Sequence, residues 1–343
     1  MSKKIYILFL LLMVLVMAIG CGAGDVTETG QDDADKYKFA IVYGALHPYF
    51  DPMPQAAKDA ERDFGLPEVT ITAPQNWDQP EQNTIYDGLV AQGYTGISTM
   101  MSEPVAGTIQ LNKMMDQGIN VIVTTGPPDL DSYKGPFYLS TDSYQSAYLA
   151  TKTVCEELGG EGNIVHLAGM VVEANVKVRM EAVEKCVSEY PGITLVQTIA
   201  DLDVVEAAQD NISSLMAAKR NEIDGIVSTS YIPTMVLADI LVELDEKRIV
   251  AVGNDTDPIV MEAIKSGHMF ATTSQNPYGQ AYLSLYSLKL LADGYTYVGP
   301  QFIDSGTILC TTENVDNIDQ MVTDTTQQMY ETWVEDYFEA PAE

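Results

Sequence analysis

Two polar side chains, Asp255 and Gln275, stand where apolar strand patterns stop. Residues 249–252 are apolar and β-branched enough for a buried parallel strand, and Gly253 lets the chain leave the sheet. Asp257 then reads as a helix N-cap, Pro258 as the first helical residue, and Lys265-Ser266-Gly267 as a basic last turn with a glycine stop. Asp255 is left without a structural task, just past the carboxyl end of a strand, where open α/β sheets bind ligands. A second strand, 270–274, delivers Gln275 ahead of an Asn276-Pro277 turn. The chemistry open to this pair is hydrogen bonding to a ligand at consecutive strand ends; the competing reading is that both side chains bond nearby turn amides.

Reactive constellations are missing from the sequence. It has no GxSxG, HExxH, P-loop or Rossmann glycine fingerprint. Of three histidines, His47 falls in a loop after the first strand, His166 inside a strand and so in a core, and His268 in a turn. Asp255 with His47 and a hydroxyl could in principle do acid–base work, but the expectation is a binding protein, not an enzyme, with no metal or cofactor. Cys155, Cys186 and Cys310 form no CxxC or zinc-like cluster, and Cys155 and Cys186 sit on apolar helix faces as buried thiols rather than a bridge.

The elements that position these residues alternate short apolar strands with amphipathic helices from Lys38 onward, the pattern of mainly parallel, doubly wound sheets. Strands at 38–43, 69–73, 96–100 and 120–124 enclose helices at 51–64, 81–92 and 104–117. Gly126-Pro127-Pro128-Asp129 breaks the period, and a short strand, 137–140, leads to Asp142, which reads as the cap of a helix over 143–158. The alternation then restarts with strands at 163–167, 194–199, 223–228 and 249–252, separated by helices at 177–190, 204–218 and 234–244. A helix over 279–293, short strands near 302 and 306–309, and an acidic helix over 316–338 complete the chain. Restarting one architecture predicts two similar lobes joined by a multi-strand hinge: 38–140 plus 276–300, and 141–275 plus 301–338.

The beginning of the chain reads as a secretory signal over residues 1–20, with a basic start, an apolar centre and small residues before Cys21. Ala-Ile-Gly-Cys resembles a bacterial lipobox, which implies cleavage before Cys21 and lipidation there. Residues 21–37 are small, polar and acidic, a solvated tether. The formal charge of −31 becomes about −33 once Lys3 and Lys4 leave with the signal, which excludes nucleic acid and makes a lipid anchor the only membrane attachment. The expected site of action is the extracytoplasmic face of the cell membrane.

The chain resembles the type I periplasmic binding proteins of the sugar class, similar to the ribose-binding proteins of ABC importers. The resemblance covers residues 38–311 and rests on LHPYF (46–50), STD (140–142), VRMEAV (178–183), VGND (252–255) and AIKSGHMFATTSQNP (263–277). It implies a ligand between lobes, with carboxylates, amides and an arginine bonding its hydroxyls, rings covering its apolar faces, and hinge closure that a membrane permease recognises. Asp255 matches the family's ligand-binding aspartate and Gln275 its hinge-region amide. Tyr49 and Phe50 match its paired aromatics, His47 stands where an asparagine is usual, and Arg179 matches the arginine that opens a second-lobe helix. Surface pairing of Arg179 with Glu181 or Glu184 is the competing reading. Glu173 and Asn175, in the loop before that helix, are added contacts.

Departures from the ribose pattern bear on the ligand. Gly126-Pro127 replaces an Asp-Arg pair, Ser230 followed by Tyr231 replaces an asparagine, and Val204 replaces an aromatic. Trp77 and Met100-Met101 make the first-lobe side more apolar, unless the methionines are core filling. The expected ligand is small and hydroxylated, a sugar or sugar-like molecule, bound by a monomeric substrate-binding lipoprotein of an ABC importer. The alternatives are a sensor lipoprotein feeding a chemoreceptor or histidine kinase, or a binder of a nucleoside or signalling furanose.

Overall fold

A computed structural model describes residues 35–342, so the expected signal segment, Cys21 and most of the tether lie outside the described residues. The first lobe is built from β1 (Phe39–Val42), α1 (Met53–Phe64), β2 (Thr70–Thr72), α2 (Gln79–Ala91), β3 (Gly96–Thr99), α3 (Pro104–Met115), β4 (Asn120–Thr124) and β5 (Tyr138–Ser140). The second contains α4 (Ser143–Glu157), β6 (Glu161–Leu167), α5 (Ala174–Val187), β7 (Gly192–Ile199), α6 (Val205–Lys219), β8 (Gly225–Ser228), α7 (Tyr231–Glu243), β9 (Val250–Asn254), α8 (Pro258–Lys265) and β10 (Ala271–Ser274). The chain continues through α9 (Pro277–Ala292), β11 (Thr296–Tyr297), β12 (Phe302–Asp304), β13 (Ile308–Thr311), α10 (Ile318–Tyr337) and β14 (Phe338–Glu339).

The two six-stranded sheets share one design. The first runs β12-β5-β4-β3-β1-β2 and the second β13-β10-β9-β8-β6-β7, all parallel except for antiparallel β13. The central strands β1, β3, β8 and β10 are buried along their whole length, as parallel strands with helices on both faces must be. Asp142 and Asp257 cap α4 and α8 through the amides of Gln145 and Ile259, as expected. Cys155, Cys186 and Cys310 are buried free thiols.

The chain's last part departs from the expected boundaries. The second lobe does not hold all of 301–338: β12 pairs with β5 in the first sheet, the chain crosses at Ser305, and only β13 joins the second sheet. The core around α10 spans both lobes. Val315 and Ile318 pack in the second lobe, whereas Trp333 and Phe338 are buried in the first, where the Trp333 indole N–H donates to Ser287 Oγ. Hydrophobic demand explains this, because α9 and α1 leave an apolar surface that Trp333 covers.

Three crossing segments meet in one buried polar cluster. Thr141, between β5 and α4, and Ser305, between β12 and β13, bring their hydroxyls within 3.3 Å. Asn276, between β10 and α9, caps α9 through Gly279 N–H and donates to Ser305 O. Gln280, one turn into α9, donates to Ser305 Oγ at 3.0 Å.

Candidate functional site

The carboxyl ends of both sheets face a shared cleft. Asp255 follows β9 directly, with a left-handed backbone (φ 75) that an aspartate tolerates better than most residues. Its N–H donates to Thr273 O and its carbonyl accepts from Thr272 Oγ1, so the backbone is held from both sides. The carboxylate accepts from Gln275 Nε2 at 2.8 Å and from Asn254 Nδ2 at 2.7 Å. Thus Asp255 and Gln275 bond each other rather than turn amides, and both line the cleft. Burial pushes the Asp255 carboxyl up to about 6, against the opposing pull of Arg179, Gln275 and Asn254.

Thr125 occupies the equivalent place in the first lobe, directly after β4. It too is left-handed (φ 70), an unfavoured state for a β-branched residue, and its N–H donates to Leu139 O on β5 as Asp255 N–H does to Thr273 O on β10. Its hydroxyl donates to Gln280 Oε1, which also accepts from Tyr49 OH, so the cleft is hydrogen-bonded to the crossing segments through one amide.

Around Arg179 the sequence expectation needs adjustment. Helix α5 starts at Ala174, three residues before the expected 177, so Asn175 lies in its first turn and Glu173 at its N-cap position, not in a loop. Arg179 is buried in the cleft rather than paired at the surface, and its Nε has no protein partner. The buried Ser230 hydroxyl is likewise unpartnered. Both donors are thereby available to a ligand, since an unsatisfied buried polar group is costly otherwise. Burial raises the Glu173 pKa, partly countered by Arg179.

Rings close the other side. His47 caps the short turn Pro48–Phe50 by accepting from Tyr49 N–H, and burial lowers its pKa, leaving a neutral ring at pH 7. Its centroid lies 5.4 Å from that of Tyr231, edge to face across the cleft, and Phe50 stacks on Tyr43 at 4.4 Å. The Trp77 indole lies flat on the first loop because Gly44 has no side chain: a Cβ there would stand 2.3 Å from the ring. Gly169 serves the opposite lobe in the same way, letting Asp203 and Ser230 lean over its backbone, where a Cβ would meet them at 2.1 and 2.5 Å.

Every expected site residue except Met101 lines this cleft. Met101 is buried against α3 and borders an adjoining chamber, while Met100 lines both spaces. His166 is core, bonded to Thr229, and His268 pairs with Asp245 and Ser266. The sequence reading missed Thr125, Met170 and Asp203. Thr125 could have been found by the strand-end rule that isolates Asp255. Asp203 lies directly before Val204, the position at which the family pattern has an aromatic.

All the charged groups of the cleft wall, Glu173, Arg179, Asp203 and Asp255, come from the second lobe; the first contributes rings, Met100 and Thr125. Among the described residues no cluster is suited to a metal ion, and no helix is long and apolar enough to cross a membrane. This wall can orient a neutral molecule rich in hydroxyls, with carboxylates accepting, Arg179 and Ser230 donating, and rings against C–H faces.

Residues 39–296 match a family described as periplasmic binding protein domain. The chain is 23% identical over 243 residues to the xylose/arabinose-binding protein of Sulfolobus acidocaldarius, covering 67% of this chain and 60% of that protein. It is 23% identical over 255 residues to the D-apiose import binding protein of Actinobacillus succinogenes, covering 71% and 78%. Among solved structures, an ABC transporter solute-binding protein from Burkholderia graminis in complex with D-arabinose superimposes with a TM-score of 0.75 at 22% identity, covering 83% of this chain and 98% of that one.

Proposed function

The chain belongs to the periplasmic binding protein domain family, and from that premise we propose that it captures a small hydroxylated ligand, a sugar or sugar-like molecule, between its lobes for an ABC importer. The observation that carries the reading is the pair of unpartnered buried donors, Arg179 Nε and Ser230 Oγ, on residues that line the same cleft as the Asp255–Gln275 pair. Charge-assisted hydrogen bonds of this kind contribute roughly 1.5–3 kcal/mol each, enough for three or four to hold a polyol selectively. The pentose names of the relatives support the same class. The lack of an Asp-Arg pair at Gly126-Pro127 argues against ribose itself. Lipidation at Cys21 would keep the monomeric protein at the membrane beside its permease.

A thermal-shift screen of the mature chain against pentoses, hexoses, deoxy sugars, nucleosides and signalling furanoses tests the proposal. At least one compound should raise Tm, corresponding to about 2.7 kcal/mol at a hundredfold excess over Kd. Asp255→Ala should abolish that shift, whereas Asp257→Ala should keep it and lower stability by about 1 kcal/mol through loss of the α8 cap. A screen in which nothing shifts Tm would overturn the assignment.

A further inference from the structure

The space beside Asp255 measures about 80 Å³, small against the roughly 300–1,000 Å³ of most ligand pockets. Next to it, still between the lobes, opens a second chamber of about 340 Å³. Trp77, Met100 and Met170 border both, so a single ligand can extend from one to the other.

The chamber's chemistry is the reverse of the first. Apart from Glu173, which it shares with the first space, its polar side chains are already bonded to backbone: Glu103 accepts from the amides of Val105 and Ala106, Ser102 donates to Gly44 O, and Asn175 donates to Thr125 O across the cleft. What remains open is sulfur and carbon from Met101, Pro104, Pro127 and Ala174. Gly126 brings no side chain, and a Cβ there would project toward Met100 and Asn175 at 3.8 and 3.5 Å. Methionines and an indole adapt to flat apolar groups, and an apolar cavity of about 150 Å³ already admits benzene.

We propose that this chamber is a subsite for an apolar substituent of the ligand whose hydroxylated part lies beside Asp255, so that the preferred ligands are glycosides with an aryl or alkyl aglycone rather than free sugars. The inference rests on the proposed binding function and names the class of molecule it serves. Met101, buried and bordering only this chamber, then supports the aglycone and not the sugar ring.

Isothermal titration calorimetry with D-xylose, L-arabinose, D-glucose and D-galactose, and with the methyl and phenyl glycosides of each in both anomers, tests it. For a sugar that binds, one phenyl anomer should bind at least tenfold more tightly than the free sugar, with the methyl glycoside between them. Ala174→Leu, which puts bulk into the second chamber alone, should bring the ratio of phenyl to free-sugar affinity toward one. If free sugars bind and neither phenyl anomer binds more tightly, the subsite is overturned while the binding function stands. If neither free nor substituted sugars bind, the subsite is overturned, and the binding function is decided by the broader thermal-shift screen.

Discussion

At the residue scale, the protonation of Asp255 decides how the cleft responds to pH. With its carboxyl held at about 6, the folded chain keeps a proton between about pH 4 and 6 that the unfolded chain has released, so this group's contribution to stability falls as pH rises through that window. His166 works the other way: burial lowers it to about 4, so stability is lost as pH falls from the ordinary histidine value toward 4. The two trends overlap, and a melting curve would blur them. Ligand affinity separates them, because His166 is bonded to Thr229 in the core and does not line the cleft. A hydroxyl donating to Asp255 bonds the ionised carboxylate more strongly than the protonated acid, and raised Glu173 titrates in the same sense. Affinity measured by calorimetry should therefore be constant above about pH 6.5 and fall by up to about tenfold per pH unit below 6, with Asp255→Asn weaker but flatter. A wild-type Kd independent of pH from 5 to 7.5 would show that the ligand does not bond this carboxylate. Asp255 and Arg179 were legible in the sequence because a strand end and a family motif pointed to them. Asp203 was not, because only folding brings it over Gly169 and beside Ser230.

At the scale of elements, the first turn of α9 joins the site to the crossing segments. Gln280 is fully buried and uses both ends of its amide, accepting from Tyr49 and Thr125 and donating to Ser305. Gln280→Leu preserves approximate volume but strands those hydroxyls. A loss of about 2–4 kcal/mol is expected from the urea midpoint, larger than for removing one exposed polar group. A loss below about 1 kcal/mol would mean the cluster rearranges around other partners. The helices and strands themselves are largely readable from apolar period and caps, yet two helices start three residues before the expected positions. Helix α7 begins at Tyr231 rather than 234 because Pro233 fits a first turn, and α5 begins at Ala174 because Val176 and Arg179 are buried there. The sheet that β12 joins was not legible: β12 and β13 are short strands of similar composition, and only pairing with β5 or β10 tells them apart.

For the whole molecule, two copies of one strand order face each other and touch across the cleft. Besides the crossing segments, the lobes meet there through Asn175 Nδ2 to Thr125 O at 3.2 Å and through the His47 and Tyr231 rings. These contacts must separate if the lobes part by a hinge motion. The double variant Asn175→Ala/Tyr231→Ala should thus show a larger radius of gyration by small-angle X-ray scattering without ligand than the wild type. Equal radii would place control of opening in the crossing segments alone. The repeat of the architecture was visible in the sequence as a restart of the strand–helix alternation; the equivalence of Thr125 and Asp255 was not, since it lies in backbone geometry rather than residue type.

The placement of every charged cleft residue on one lobe has a kinetic meaning. On the proposed reading, a polyol would keep its charge-assisted bonds to the second lobe when the lobes part and would give up its contacts with the rings, Met100 and Thr125 of the first. Departure would then take two steps, through a half-open state in which the cargo still rides on the second lobe. A permease that pulled the first lobe away would obtain an exposed but tethered solute, and only weakening of the grip around Asp255 and Arg179 would set it free.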